Sequence, residues 1–147
     1  RELHRKLAET LRTATMASGE GHDAEGDETG CHHARLVALI RINFDADNYT
    51  PAVIAAWLNF YVLAQTSVEA NRLLRVYHGR LLSNLRHDLR PIVGGRAEAL
   101  AVRLGALIDG DYLRQALGDQ ALDGKSASAL VIAALDAGLA EANGAAA

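Results

Sequence analysis

Arg103-Leu-Gly-Ala-Leu-Ile-Asp-Gly-Asp-Tyr-Leu-Arg114 reads as an apolar helix that carries small residues and one pair of acids. Ala97, Ala101 and Gly105 recur every four residues across its start, so they share one helix face. A face of Ala and Gly lets a second backbone come close. Leu100, Leu104, Leu107 and Ile108 form an apolar stripe beside it. The last helix, expected from Ser126 to Ala142, repeats the pattern. Ala127, Leu130, Val131, Ala134, Leu135, Gly138, Leu139 and Ala142 fall on i, i+3, i+4, i+7 spacing. Two such helices form a packing unit, within the chain or between two copies.

Upstream, the same periodicity continues. A helix is expected from Val68 to Arg90, with Leu74, Tyr77, Leu81, Leu85 and Leu89 on one face and Pro91 with Gly94-Gly95 ending it. Before it, Thr50 reads as an N-cap and Pro51 as the first helical residue. The helix they start is apolar nearly all round, from Val53 to Ala64, which places it centrally in the fold. His32 to Phe44 is expected to be helical, followed by a turn over Asp45 to Tyr49. Residues 18–31, rich in glycine and acids, read as a mobile surface loop, and Glu2 to Ala17 as a first helix. No stretch alternates with period two. The expectation is a single all-α domain over residues 1–147, a bundle of about six helices.

Composition narrows the function classes. Half of the 147 residues are hydrophobic, enough to bury an ordinary core. The net charge of −3 does not suit a nucleic-acid-binding surface. Cys31 is the only cysteine, so no internal disulfide and no CxxC zinc site can form. No apolar run reaches the length of a membrane span, which is about 18 residues, and Arg1 to Lys6 does not begin a signal peptide. The chain opens without Met directly into a helical pattern, which suggests a fragment or a processed piece in a reducing, cytoplasmic setting.

Trp57-Leu-Asn-Phe60, Arg80-Leu-Leu-Ser-Asn-Leu85, Leu89-Arg90 and Ala106-Leu-Ile-Asp-Gly-Asp-Tyr-Leu-Arg114 occur in this order and spacing. Together they resemble the C-terminal regulatory domain of TetR-type transcriptional repressors, in the BetI-type subgroup that controls conversion of choline to glycine betaine. The match runs from about Leu36 to Leu139. The resemblance implies an effector-binding helical domain that forms a homodimer through its last two helices. It also implies contact with DNA only through an N-terminal helix-turn-helix domain, which this chain is expected to follow. Asp111 departs from the family pattern, which has an apolar residue there, and the acidic loop has no counterpart in it.

Candidate binding residues follow from chemistry and from the resemblance. Trp57 and Tyr61 lie one helical turn apart with Phe60 beside them, and Tyr77 and Tyr112 come from other helices. One reading is an aromatic cage for a quaternary ammonium effector such as choline, since such cations bind ring faces. The other is that the rings fill the core. Asp109 and Asp111 point to different faces. One can neutralise a cationic effector and the other can meet an arginine, with Arg80 the obvious partner; alternatively both are ordinary exposed or paired acids. Asn84 caps a ligand hydroxyl or satisfies a backbone carbonyl at a helix crossing. The expected dimer contact is Ala101, Gly105, Leu130, Val131, Ala134, Leu135 and Gly138.

His22, Asp23, Asp27, Cys31, His32 and His33 are metal-ligand types, but their spacing fits no standard zinc pattern, and no metal or other cofactor is expected. Arg72, Arg75, Arg80, Arg86 and Arg90 are spread around their helix and read as a solvated, ion-paired surface. The chain contains no phosphate loop, GxSxG or HExxH. An enzyme is therefore not expected. The alternative to a ligand-sensing repressor domain is a helical dimerisation protein that binds no small molecule.

Overall fold

The structure, a computed structural model, describes residues 28–119, 121 and 123–145. Among them are five α-helices and one 3-10 turn: α1 Glu28–Asn43, α2 Pro51–Ala64, α3 Val68–Val93, α4 Ala97–Leu117 and α5 Gly124–Ala145, with the turn at Gly94–Arg96. No strand occurs among the described residues. The helix expected at Glu2 to Ala17 and most of the acidic loop lie outside them.

Side chains satisfy free backbone groups at several helix ends. The Val53 N–H donates to Thr50 Oγ1 (3.3 Å) at the start of α2, and the Ala70 N–H donates to Ser67 Oγ (3.3 Å) at the start of α3. Asp123 Oδ1 accepts from the backbone N–H groups of Lys125 (3.0 Å) and Ser126 (3.2 Å), so α5 begins two residues earlier than its apolar spacing indicates. At the end of α1, Asn48 Nδ2 donates to the Ile42 carbonyl (2.9 Å) and the Tyr112 hydroxyl donates to that of Asn43.

Two further expected boundaries move for physical reasons. α1 starts at Glu28, so residues 28–31, expected in the loop, are helical. Tertiary pairing outweighs their weak propensity: His32 Nδ1 lies 2.7 Å from Asp88 Oδ1 of α3, and His33 Nε2 lies 2.9 Å from Asp136 Oδ1 of α5. α3 runs through Pro91 instead of stopping before it. In the last turn a missing N–H costs only one helical bond. Gly94, at φ +57°, then terminates the helix with its N–H donating to the Arg90 carbonyl.

The core follows the stripes. Leu81, Leu85 and Leu89 of α3 are buried together with Leu36 and Ile40 of α1, Ile54, Trp57 and Phe60 of α2, Leu104 and Ile108 of α4, and Val131 and Leu135 of α5. α3 packs against all four other helices. Burying a side chain of this size contributes about 1.5–3 kcal/mol.

The small-residue faces serve this core. A Cβ at Gly138 would lie 2.5 Å from Leu100 Cδ1, and one at Gly105 would lie 3.4 Å from Leu82 Cδ2. Ala101, Gly105, Val131, Leu135 and Gly138 are all buried within the chain. These five candidates for the dimer contact are therefore consumed by packing within the chain. Of the expected set, only Leu130, at 54 % exposure, and the half-buried Ala134 present surface to a partner.

Gly124 is the tightest joint. A Cβ there would collide with the Phe44 carbonyl oxygen, a backbone atom that cannot rotate away. Gly79, inside α3, has nothing within 4 Å of its Cβ position. Gly124→Ala is expected to lose about 1–3 kcal/mol from overpacking, whereas Gly79→Ala gains about 0.5–1 kcal/mol from backbone entropy. Urea unfolding of the two variants reads both signs.

Candidate functional site

α2 and α3 cross so that their aromatic residues meet. Trp57 and Tyr61 are one turn apart on α2, with ring centroids 5.9 Å apart. Trp57 packs on Tyr77 of α3 at 4.6 Å and edge-on to Phe60 at 6.1 Å. Trp57 and Phe60 are buried, while Tyr61 and Tyr77 are partly exposed. Of the proposed cage residues, these four come together.

α4 brings a carboxylate to the same place. Asp109 Oδ1 accepts from the Tyr61 hydroxyl at 3.3 Å. Asp109 Oδ2 lies 3.1 Å from Nε2 of His78, the residue after Tyr77, and the His78 ring stacks on Tyr61 at 6.4 Å. The His78 Nε2 atom is fully buried and makes no geometrically aligned hydrogen bond, so Asp109 is its close polar neighbour. The close polar contact with Asp109 raises the His78 pKa, against burial, which lowers it. Burial and the Asp109 charge together push the Tyr61 and Tyr77 hydroxyls well above their ordinary value, so both remain proton donors. One anion thus sits among three aromatic residues, with a fourth ring behind them.

Tyr112 does not join this cluster. It packs with Phe44 (5.7 Å) and Tyr49 (5.2 Å), and its hydroxyl is taken by the Asn43 carbonyl and by that of Asn48 at 3.3 Å. It therefore ties the turn after α1 to α4 and has no free hydroxyl for a ligand. Asp111 does meet a polar partner, but it is Tyr49, whose hydroxyl donates at 2.9 Å, and not an arginine. Arg80 is exposed and pairs with neither acid. Asn84 is half-buried, seven residues from Tyr77 and hence on its side of α3, with no side-chain hydrogen bond to a described residue. Among the α3 arginines, Arg86 pairs with Glu98 at 3.2 Å, and Arg72, Arg75, Arg80 and Arg90 are exposed.

A separate cleft of about 770 Å³ opens between the end of α1 and the start of α5. Phe44, Tyr49 and Ile132 line its floor, and Arg41, Lys125 and Asp123 its rim. His32 and His33, considered as metal ligands, each pair with a carboxylate instead, and Cys31 is a free thiol. No group of three potential metal ligands forms among the described residues. His22, Asp23 and Asp27 lie outside them.

Sequence reasoning missed His78, Phe44 and Tyr49. A histidine following a core-facing tyrosine was the available signal for His78. Its partner is 31 positions away (109 minus 78), and periodicity carries no information about that pairing.

Residues 32–140 match the family described as BetI-type transcriptional repressor, C-terminal. The chain is 49 % identical over 123 residues to the HTH-type transcriptional regulator BetI of Brucella abortus (strain 2308), covering 83 % of this chain and 62 % of that protein. It is 43 % identical, with the same coverage, to the protein of that name from Brucella melitensis biotype 2 (strain ATCC 23457). The protein of that name from Rhizobium meliloti (strain 1021) is 49 % identical over 84 residues, or 56 % of this chain and 41 % of that protein. The chain thus spans about three-fifths of the length of the Brucella relatives. No solved structure matches it. No helix among the described residues is long and apolar enough to cross a membrane.

Because Asp109 raises the His78 pKa in the folded chain, their pairing stabilises the fold fully below the ordinary histidine value of 6.5. That contribution is lost as pH rises through the higher folded value. The difference in melting temperature between wild type and Asp109→Asn should therefore shrink from pH 6 towards pH 9. A difference independent of pH would rule the pairing out.

Proposed function

The chain belongs to the family of BetI-type transcriptional repressors, C-terminal domain, and on that premise we propose that it senses a small cationic effector and forms the homodimer of a TetR-type repressor. The carrying observation is the Asp109 carboxylate placed among Tyr61, Tyr77 and His78, with Trp57 packed at a tilt on Tyr77. A quaternary ammonium ion has no hydrogen-bond donor. It is held by ring faces, at about 0.5–2 kcal/mol each, and by a nearby negative charge. Choline fits that chemistry, and the resemblance points to control of choline-to-glycine-betaine genes.

Trp57 of α2 and Tyr77 of α3 touch, so an effector that enters between their faces must part them. That requirement supplies the switch. The ligand favours an arrangement in which α2 and α3 separate slightly, and binding shifts the population towards it. In an intact repressor, the change would alter the spacing of two DNA-reading domains carried by the N-terminal part of such proteins. A repressor of this kind works in the cytoplasm.

For the homodimer, the surfaces left free by the core are Val102, Leu113 and Leu117 on α4 and Leu130 on α5, each 46–76 % exposed. Residues 102, 106, 113 and 117 follow helical spacing, with Ala106 exposed between the larger side chains. α5 offers exposed Ala133 and Ala137 one and two turns from Leu130. Two copies joined through these faces form a four-helix contact. The mutual contact of the rings favours a second reading, in which the cluster is solid core and the chain only dimerises.

Calorimetric titration separates the two. Choline should bind saturably to the wild type, glycine betaine more weakly, and choline to Trp57→Leu about tenfold more weakly, as expected for loss of one ring contact near 1.4 kcal/mol. No heat at millimolar choline rejects choline as the effector. In sedimentation the chain should be a dimer at micromolar concentration, and Leu113→Glu with Leu130→Glu should shift it to monomer. A monomeric wild type overturns the dimer.

A further inference from the structure

Asp109 is already occupied. Any cation entering the cluster must contend with the His78 ring, whose buried Nε2 stands 3.1 Å from the carboxylate. The rest of the His78 side chain is accessible, at 38 % exposure, so a proton released from it can reach solvent. The groups facing His78 are Tyr61 from α2, Tyr77 beside it on α3 and Asp109 from α4. Both tyrosines stay neutral at physiological pH. Asp109 and His78 are therefore the two charges that decide the balance of the site.

We propose that His78 is the specificity-determining residue of this site, a resident counter-cation that a monocationic effector displaces in exchange for its proton. The inference rests on the cationic-effector reading above. The exchange conserves charge. Before binding, Asp109 faces HisH⁺. After binding, it faces the effector cation, and His78 is neutral with its proton in solvent. Two consequences follow. Retaining both cations beside one carboxylate costs Coulombic repulsion, so binding and deprotonation are coupled. A zwitterion of zero net charge gains little, because its own carboxylate confronts Asp109 once the imidazolium is gone. The site thus separates a monocation from a betaine-like zwitterion by charge.

Linkage sets the size of the effect. If one proton leaves per cation bound, affinity rises up to tenfold per pH unit between the His78 pKa of the complex and that of the free chain. The test uses choline as the probe, titrated at pH 6.0, 7.0 and 8.5 in two buffers of different ionisation enthalpy. The wild type should bind more tightly as pH rises and release up to one proton at the lower pH values. His78→Gln should keep binding with no pH dependence and no proton release. Choline binding of equal affinity at all three pH values overturns the exchange while leaving the cationic-effector reading intact. No choline binding at any pH, in wild type or His78→Gln, overturns both. A test without ligand is the NMR titration of the His78 ring, whose midpoint should fall in Asp109→Asn. An unchanged midpoint overturns the exchange on its own.

Discussion

Leu81, Leu85 and Leu89 on α3 lie four residues apart and leave almost no surface exposed, and every other described helix packs against α3. Close packing around that stripe leaves little freedom elsewhere. α1 must come near enough for Leu36 and Ile40 to cover it, which drives the end of α1 onto the start of α5 and leaves room only for glycine at position 124. α4 approaches through Ala101 and Gly105, and α5 closes on α4 through Gly138. The same helix carries Tyr77 and His78 one residue apart, so the register that buries the leucines also sets the aromatic cluster.

Polar groups set the remaining geometry, because a half-buried carboxylate is tolerated only when paired. α4 carries two of them, and each finds a tyrosine from the segment at or just before α2: Asp109 with Tyr61 and Asp111 with Tyr49. The two bonds strap that segment across α4. About three turns beyond His78 along α3, the Asp88 carboxylate accepts His32 and has Arg35 at 3.9 Å, which draws the first turn of α1 down. Asp109 differs from Asp88 in its surroundings. It lies beside the rings of Tyr61 and His78, with the His78 Nε2 3.1 Å from its Oδ2.

Much of this was legible from spacing alone. The caps at Thr50, the apolar α2, the leucine stripe of α3 and the all-helical class depend on contacts three or four residues apart, which periodicity reports directly. Trp57, Phe60, Tyr61, Tyr77 and Tyr112 were the candidate cage, of which the first four meet, and which of Asp109 and Asp111 would stand beside them was open. The fate of Tyr112 was not legible. It is a core-facing aromatic on α4 like the others, but its hydroxyl is drawn to the last carbonyls of α1, a contact 69 positions away.

The amino-acid sequence by itself determined the helices, which faces are apolar, and the family, because these reside in local propensity and in motifs that keep their spacing along the chain. Only the tertiary structure decided what the small residues are for and who partners the charges. A stripe of Ala and Gly fits a neighbouring helix of the same chain as well as one from a second copy. Burial of Ala101, Gly105 and Gly138 within the chain resolves that choice, and leaves Val102, Leu113, Leu117 and Leu130 exposed. A carboxylate accepts any donor within reach, and reach is a distance in space. Tyr49, Tyr61 and His78 became partners of Asp111 and Asp109 only when packing around α3 brought them there.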